Sequence, residues 1–155
     1  MRRLVLTGLL AVLCLSSLPS NSAGNSSPGD ASGSPAPAVF RGTGVVAYYF
    51  HVNVRCQTCL LIEQRSSEVI EKTFGKELQE GVLDWSVVNT QQTGNRRYVT
   101  ELGLPSRGLV LVAYKDGIPG QRKNLDDVWK YIHGDQNIFD EYLLREVRAF
   151  LDQKP

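Results

Sequence analysis

A three-layer α/β fold, with a mixed four-stranded sheet flanked by helices, is the architecture that residues 40–155 of this 155-residue chain predict. Three observations point there. Val45-Val46-Ala47-Tyr48-Tyr49-Phe50 and Leu109-Val110-Leu111-Val112-Ala113-Tyr114 are short unbroken apolar runs, the pattern of central strands covered on both faces. A helical periodicity follows the first run, so the next strand returns parallel to it through a right-handed crossover. Lys115-Asp116-Gly117 after the second run signals a hairpin, which adds an antiparallel strand.

The elements follow in chain order. After the first strand, Cys59, Ile62, Val69, Ile70 and Phe74 recur at helical spacing from Cys56 to Phe74, while Glu63, Arg65 and Glu71 face outward. Gly75 interrupts this helix before a last turn, Lys76 to Glu80. Val82 to Asn89 reads as a strand with Leu83, Trp85 and Val87 on one face. Residues 91–102 suit a short polar helix. Beyond the hairpin the returning strand is expected near Gln121 to Lys123. Asn124 then caps a short helix whose first turn holds Asp126 and Asp127, a placement that complements the helix dipole. Ile138 to Asp152 forms an amphipathic helix with Phe139, Leu143, Val147 and Phe150 on one stripe.

The amino-terminal segment has a different character. Arg2-Arg3, the apolar stretch Leu4 to Leu15 and small polar residues up to Ala23 read as a secretory signal over residues 1–23. The apolar stretch is too short to span a bilayer, which takes about 20 residues, so no transmembrane span is expected in the mature chain. Cys14 follows Leu13 rather than a small residue, which disfavours a lipid anchor. Residues 24–39 are mostly Gly, Ser, Ala, Pro and Asn and read as a flexible linker. The folded domain is therefore residues 40–155, exported to a periplasmic or extracellular space. Losing Arg2 and Arg3 takes the net charge from +1 to −1, and a nearly neutral chain argues against a nucleic-acid partner.

Cys56 and Cys59 are the only cysteines after the signal. Their Cys-Gln-Thr-Cys motif falls where the first strand gives way to a helix, so the dithiol sits on the first helical turn, where free N–H groups and the dipole favour a thiolate. Cys56, nearer the exposed helix start, is the expected nucleophile, and Cys59, one turn in, the resolving thiol. Arg55 adds positive charge beside Cys56, and His51, closing the strand, is placed to tune the thiolate or carry a proton. Both have bland readings, as a surface arginine and a structural histidine. Glu63, one turn after Cys59, approaches the resolving thiol by spacing but fits the solvated face. His133, before Gly134, reads as a helix cap.

A disulfide here as a mere staple is poorly placed. The chain-entropy model gives about 2 kcal/mol for so short a loop, against roughly 3 for fifteen residues. The leading expectation is a thiol-disulfide oxidoreductase whose partner is a protein dithiol or disulfide. The alternative is a Cu(I)-type carrier with Cys56 and Cys59 as metal ligands. No resident metal or organic cofactor is otherwise expected: Gly42-Thr43-Gly44 precedes a strand instead of following one, so it is no dinucleotide fingerprint. The oligomeric state is not indicated.

With the dithiol at a strand-to-helix junction, residues 44–152 resemble a thioredoxin-like domain. More narrowly, Tyr48-Tyr49-Phe50-His51, Arg55-Cys56-Gln57-Thr58-Cys59, Asp84-Trp85-Ser86-Val87-Val88-Asn89 and Glu146-Val147-Arg148-Ala149-Phe150-Leu151 resemble a small exported family described as nitrophenyl-compound nitroreductase subunits, ArsF-like. That resemblance implies an electron-passing subunit, since nitro reduction ordinarily draws on a flavin or metal carrier. Two thioredoxin features are altered. Pro105 stands a few residues too far ahead of the third core strand to be the usual cis-proline facing the dithiol. Phe50 stands where many thioredoxins carry a buried carboxylate six residues before the first cysteine.

Overall fold

A computed structural model describes residues 40–153. The expected signal, with Cys14, and all of the expected linker lie outside the described residues. β1 (Gly44–His51) runs between two partners. It pairs in parallel with β2 (Leu83–Asn89), Val45 opposite Leu83 through His51 opposite Asn89. On its other side it pairs antiparallel with β3 (Gly108–Lys115), Gly44 opposite Tyr114 through Phe50 opposite Gly108. β4 (Ile118–Asn124) lies antiparallel on the outer side of β3, so the sheet order is β2-β1-β3-β4. The result is the mixed four-stranded sheet flanked by helices, with one parallel pair.

Strand alternation divides the interior into two cores. Val45, Ala47 and Tyr49 of β1, with Leu109, Leu111 and Ala113 of β3, pack against α1 (Gln57–Thr73) and α5 (Gln136–Asp152). Ile62, Val69 and Ile70 supply the α1 side, and Phe139, Leu143, Val147 and Phe150 the α5 side, the stripe expected from the sequence. The opposite sheet face carries Val46, Tyr48, Phe50, Val110, Val112 and Tyr114, closed over by Tyr98 of α3 (Arg96–Thr100) and by Leu104. This second core is aromatic: Tyr48 stacks on Phe50 at 5.2 Å between centroids, and Tyr98 tilts against both. The Tyr48 and Tyr114 hydroxyls lie 3.0 Å apart, so each buried polar atom has a partner.

α1 begins at Cys56, and α2 (Gly75–Gln79) follows it after the break at Phe74, as the Gly75 interruption implies. Gly44 is required where β1 starts, because a β-carbon there would stand 2.6 Å from the Val82 carbonyl oxygen. The β3–β4 turn has positive φ at both Asp116 (51°) and Gly117 (79°), the two-residue geometry that matches strand twist. Gly42 and Thr43 bond to this turn: Gly117 N–H donates to Gly42 C=O, and Asp116 N–H to Thr43 Oγ1.

Three local expectations are revised. Asn124 ends β4, opposite Val110, instead of capping a helix; a ladder position outcompetes a cap worth about 1 kcal/mol. The helix beyond it, α4 (Val128–Tyr131), starts after Asp127, which pairs with Lys130 at 2.6 Å. Residues 91–95 turn before α3 because the buried Asn95 amide donates to Asn89 C=O at 2.9 Å. Val87, on the same face of β2 as the buried Leu83, is 39% exposed, since β2 is an edge strand.

β4 is exposed along its whole length and is guarded by Pro119, Arg122 and Lys123, residues that blunt a free edge. Arg122 donates to Leu102 C=O, and Lys123 pairs with Glu146 of α5 at 2.5 Å. Burial pushes the Glu146 carboxyl up, but hydrogen bonds from Lys123 and Arg145 outweigh it and hold it below the usual range. A carboxyl held low in the folded state adds stability above its unfolded value, near 4.5, that is lost as pH falls through the lowered value.

Two expectations follow for stability. Tyr48→Phe leaves the buried Tyr114 hydroxyl without its 3.0 Å partner and is expected to cost about 1–3 kcal/mol in urea unfolding. Tyr48→Phe with Tyr114→Phe should cost less than the sum of the two single changes. Glu146→Gln should flatten the acid limb of the stability-against-pH profile below about pH 4.5, with little change in its shape above pH 6; an unaltered acid limb would count against the Lys123–Glu146 tie.

Candidate functional site

β1, α1, the β2–α3 loop, the segment before β3 and the α4–α5 connection meet at the carboxyl end of β1. Cys56 is the N-cap of α1, with extended backbone (φ −84°, ψ 162°), and its Sγ accepts the Cys59 N–H at 3.1 Å. Cys56 and Cys59 form a disulfide with α-carbons 5.0 Å apart. Cys56 is exposed and Cys59 is half-buried, the ordering expected of an attacking and a resolving thiol.

The loop from Val52 to Arg55, which presents Cys56, is fixed from the side. Asn53 N–H donates to Gln91 Oε1 at 2.8 Å, and its Oδ1 accepts from Asn89 Nδ2 at 2.8 Å. Thr90 extends the brace, with its N–H on His51 C=O at 2.9 Å and its hydroxyl within reach of both His51 C=O and Ser106 C=O. The dithiol therefore rests on polar bonds gathered at one end of the sheet.

Behind Cys59 the Tyr49 hydroxyl donates to the Cys59 carbonyl at 2.6 Å. Burial raises the Tyr49 phenol, Arg55 opposes that rise and Glu63 adds to it, so the hydroxyl keeps its proton at neutral pH. Arg55 forms an ion pair with Glu63, each about a quarter exposed. Glu63 is thus drawn inward, away from the solvated face that spacing assigned to it, and it shares the positive charge that Arg55 brings to the site. The Arg55 Nε–H is buried with no acceptor on the protein.

His51 Nδ1 lies 3.1 Å from the Val52 carbonyl. A carbonyl only accepts, so Nδ1 donates in this contact, and in the neutral ring that leaves the lone pair on Nε2. His51, Arg55 and Cys59 line one narrow crevice of about 10 Å³, with Val54, Arg107 and Trp129 as other walls. That is space for one water molecule at most.

Three of these neighbours carry no signal in the sequence. Arg107 reaches the site from the segment between Pro105 and β3; all described peptide bonds are trans. Trp129 comes from α4. His133, expected only to cap a helix, places Nε2 3.1 Å from Thr58 Oγ1, between the two cysteines. Among the described residues no group of three or more histidine, cysteine or acidic side chains is arranged to hold a metal ion. Among them, too, no helix is long and apolar enough to cross a membrane.

A wider cavity, of about 600 Å³, lies at the opposite end of β1, around Gly44, Phe74 and Leu151. Its lining contains no cysteine or histidine, so size alone does not mark the reactive site. No protein-family model matches the chain, and no curated protein does.

Trp129 and Cys59 share a crevice, whereas Trp85 packs on the α1–α5 core. Because a disulfide beside an indole quenches its emission, reduction is expected to raise tryptophan fluorescence. Trp129→Phe should abolish most of that rise and Trp85→Phe should leave it; a rise that follows Trp85 would remove Trp129 from the site.

Proposed function

We propose that the chain is an exported thiol-disulfide oxidoreductase, an electron-passing domain of thioredoxin-like topology that acts on a protein dithiol or disulfide. The observation that carries this reading is the exposed Cys56 at the N-cap of α1, disulfide-bonded to the half-buried Cys59. The strand order β2-β1-β3-β4, with its first pair parallel and the rest antiparallel, supports the topology. The ArsF-like resemblance fits the same role, with nitro reduction left to a cofactor-bearing partner.

In the reducing direction the Cys56 thiolate attacks one sulfur of the partner's disulfide. A Cys56–partner bond forms, the partner's bond breaks, and its other sulfur leaves as a thiolate. Cys59 then loses its proton and attacks Cys56 Sγ, which restores the Cys56–Cys59 disulfide and releases the second partner thiolate. Two electrons pass from this chain to the partner. The reverse sequence oxidises a partner dithiol.

The helix terminus favours the Cys56 thiolate through its free N–H groups, one of which already points at the sulfur from Cys59. For Cys59 a proton acceptor is needed, and Phe50 occupies the strand position where a carboxylate would serve. In this reading His51 fills that need: it lines the same crevice as Cys59, and with Nδ1 donating to Val52 C=O the neutral ring keeps Nε2 as the base. Direct transfer, or transfer through a single water, is consistent with the crevice size.

The competing reading keeps the same two thiolates but gives them Cu(I). Thiol titration, metal analysis and insulin-type disulfide reductase assays on the purified protein separate the two. We expect a Cys56 thiol pKa below the free-cysteine value of about 8.5, metal-free protein and turnover that vanishes in Cys56→Ser. Cys59→Ser should accumulate the mixed disulfide, and His51→Gln should slow its resolution at neutral pH, with the deficit fading in alkali. An ordinary thiol pKa together with stoichiometric copper would defeat the oxidoreductase.

A further inference from the structure

The contact between Thr58 and His133 joins the dithiol to a part of the chain 75 residues away. Thr58 is the second residue of α1, in the same turn as Cys56 and Cys59. His133 sits in the connection that ends α4, where Gly134 N–H closes a turn on Tyr131 C=O. The neighbouring α4 residue Trp129 walls the Cys59 crevice, so this segment borders the motif at two places.

The bond has a particular chemistry. A threonine hydroxyl both donates and accepts. With a neutral imidazole the Thr58 O–H donates to Nε2; with an imidazolium, Nε2–H donates to Oγ1. Titration of His133 therefore changes the charge at the first turn of α1 without breaking the contact. A positive charge there is unfavourable against the dipole of the helix N-terminus and becomes favourable once Cys56 carries a negative charge.

We propose that His133 is a positioning residue that couples the dithiol to pH: its protonated form stabilises the Cys56 thiolate and with it the reduced state. The proposal rests on the redox reading and adds its regulation. Several charged groups on the elements that meet here have partners of their own, and the titratable His51 of β1 lines the crevice with Cys59 and Trp129. On the α1 side Arg55 is paired with Glu63, and Arg65 with Asp140 of α5 at 2.6 Å. On α4 Lys130 is paired with Asp127. At the start of α5 the Asp135 carboxylate accepts the Asn137 N–H at 2.9 Å. Arg107 lines the neighbouring crevice and keeps its charge throughout.

Coupling between two sites is reciprocal, so the test has two arms on the full chain. By NMR, His133 of the unaltered protein should titrate at higher pH when the dithiol is reduced than when it is oxidised. Equal titration in both states overturns the proposal. By ultraviolet thiolate absorbance between pH 4 and 6, His133→Gln, which keeps a hydrogen-bonding group and loses the charge, should lower the thiolate fraction about threefold, the equivalent of roughly half a pH unit. The difference should shrink in about 1 M salt, where an exposed charge is screened within about 3 Å. His133→Ala should match His133→Gln. A Gln variant identical to the parent, with only the Ala variant altered, would show a purely structural contact and overturn the charge coupling. Neither arm needs catalytic turnover: a protein that reduces no disulfide would defeat the redox reading while the titrations still decide the role of His133.

Discussion

β1 is buried on both faces and hydrogen-bonded along both edges, and this double enclosure governs what the rest of the molecule can do. No charged group is tolerated along its length without a buried partner, because desolvating one costs several kcal/mol. Its only polar side chains before the end are the two tyrosines, one directed to each core. Tyr48 finds the Tyr114 hydroxyl and Tyr49 finds the Cys59 carbonyl. Polar chemistry is thereby displaced to the strand's carboxyl end, where His51 and the loop carrying Arg55 and Cys56 emerge.

That end is stiffened by a set of polar bonds. Asn53, Asn89, Gln91 and Thr90 tie the presenting loop to the end of β2, and Tyr49 ties the first helical turn to the sheet. The Arg55–Glu63 pair adds charge balance close to the sulfurs. A site assembled this way holds its geometry through bonds to backbone carbonyls and amides, while the sulfur of Cys56 stays open to solvent. Rigidity of the support and exposure of the nucleophile are both needed for attack on the disulfide of another protein.

Most of the frame was legible in the residues, because it depends on short-range patterns. The unbroken apolar runs marked β1 and β3, the stripe Phe139, Leu143, Val147, Phe150 marked α5, and Asp116-Gly117 marked the hairpin. The closeness of the two cysteines and of His51 at one end of β1 was legible from spacing. What escaped notice depends on distance along the chain: Arg107, Trp129 and His133 reach the dithiol through tertiary packing, which leaves no local periodicity. Glu63 was misplaced because helical spacing says which face a residue occupies and not which loop folds over that face. Asn124 shows a second kind of failure, where two local rules competed and the strand ladder prevailed over the helix cap.

The N-cap of α1 is itself one of the two disulfide-bonded cysteines. In most helices the capping oxygen is chemically idle; in the proposed reaction the sulfur that receives the Cys59 amide is also the one that bonds to, and parts from, another protein. As a thiolate it is a strong acceptor and clasps the helix tightly, whereas bonded to a partner sulfur it is neutral and clasps it weakly. In the proposed reaction each turnover therefore loosens and retightens the end of the helix. The covalent intermediate is the state with the most freedom at its hinge, and it is also the state in which Cys59 must move towards Cys56 to let the partner go.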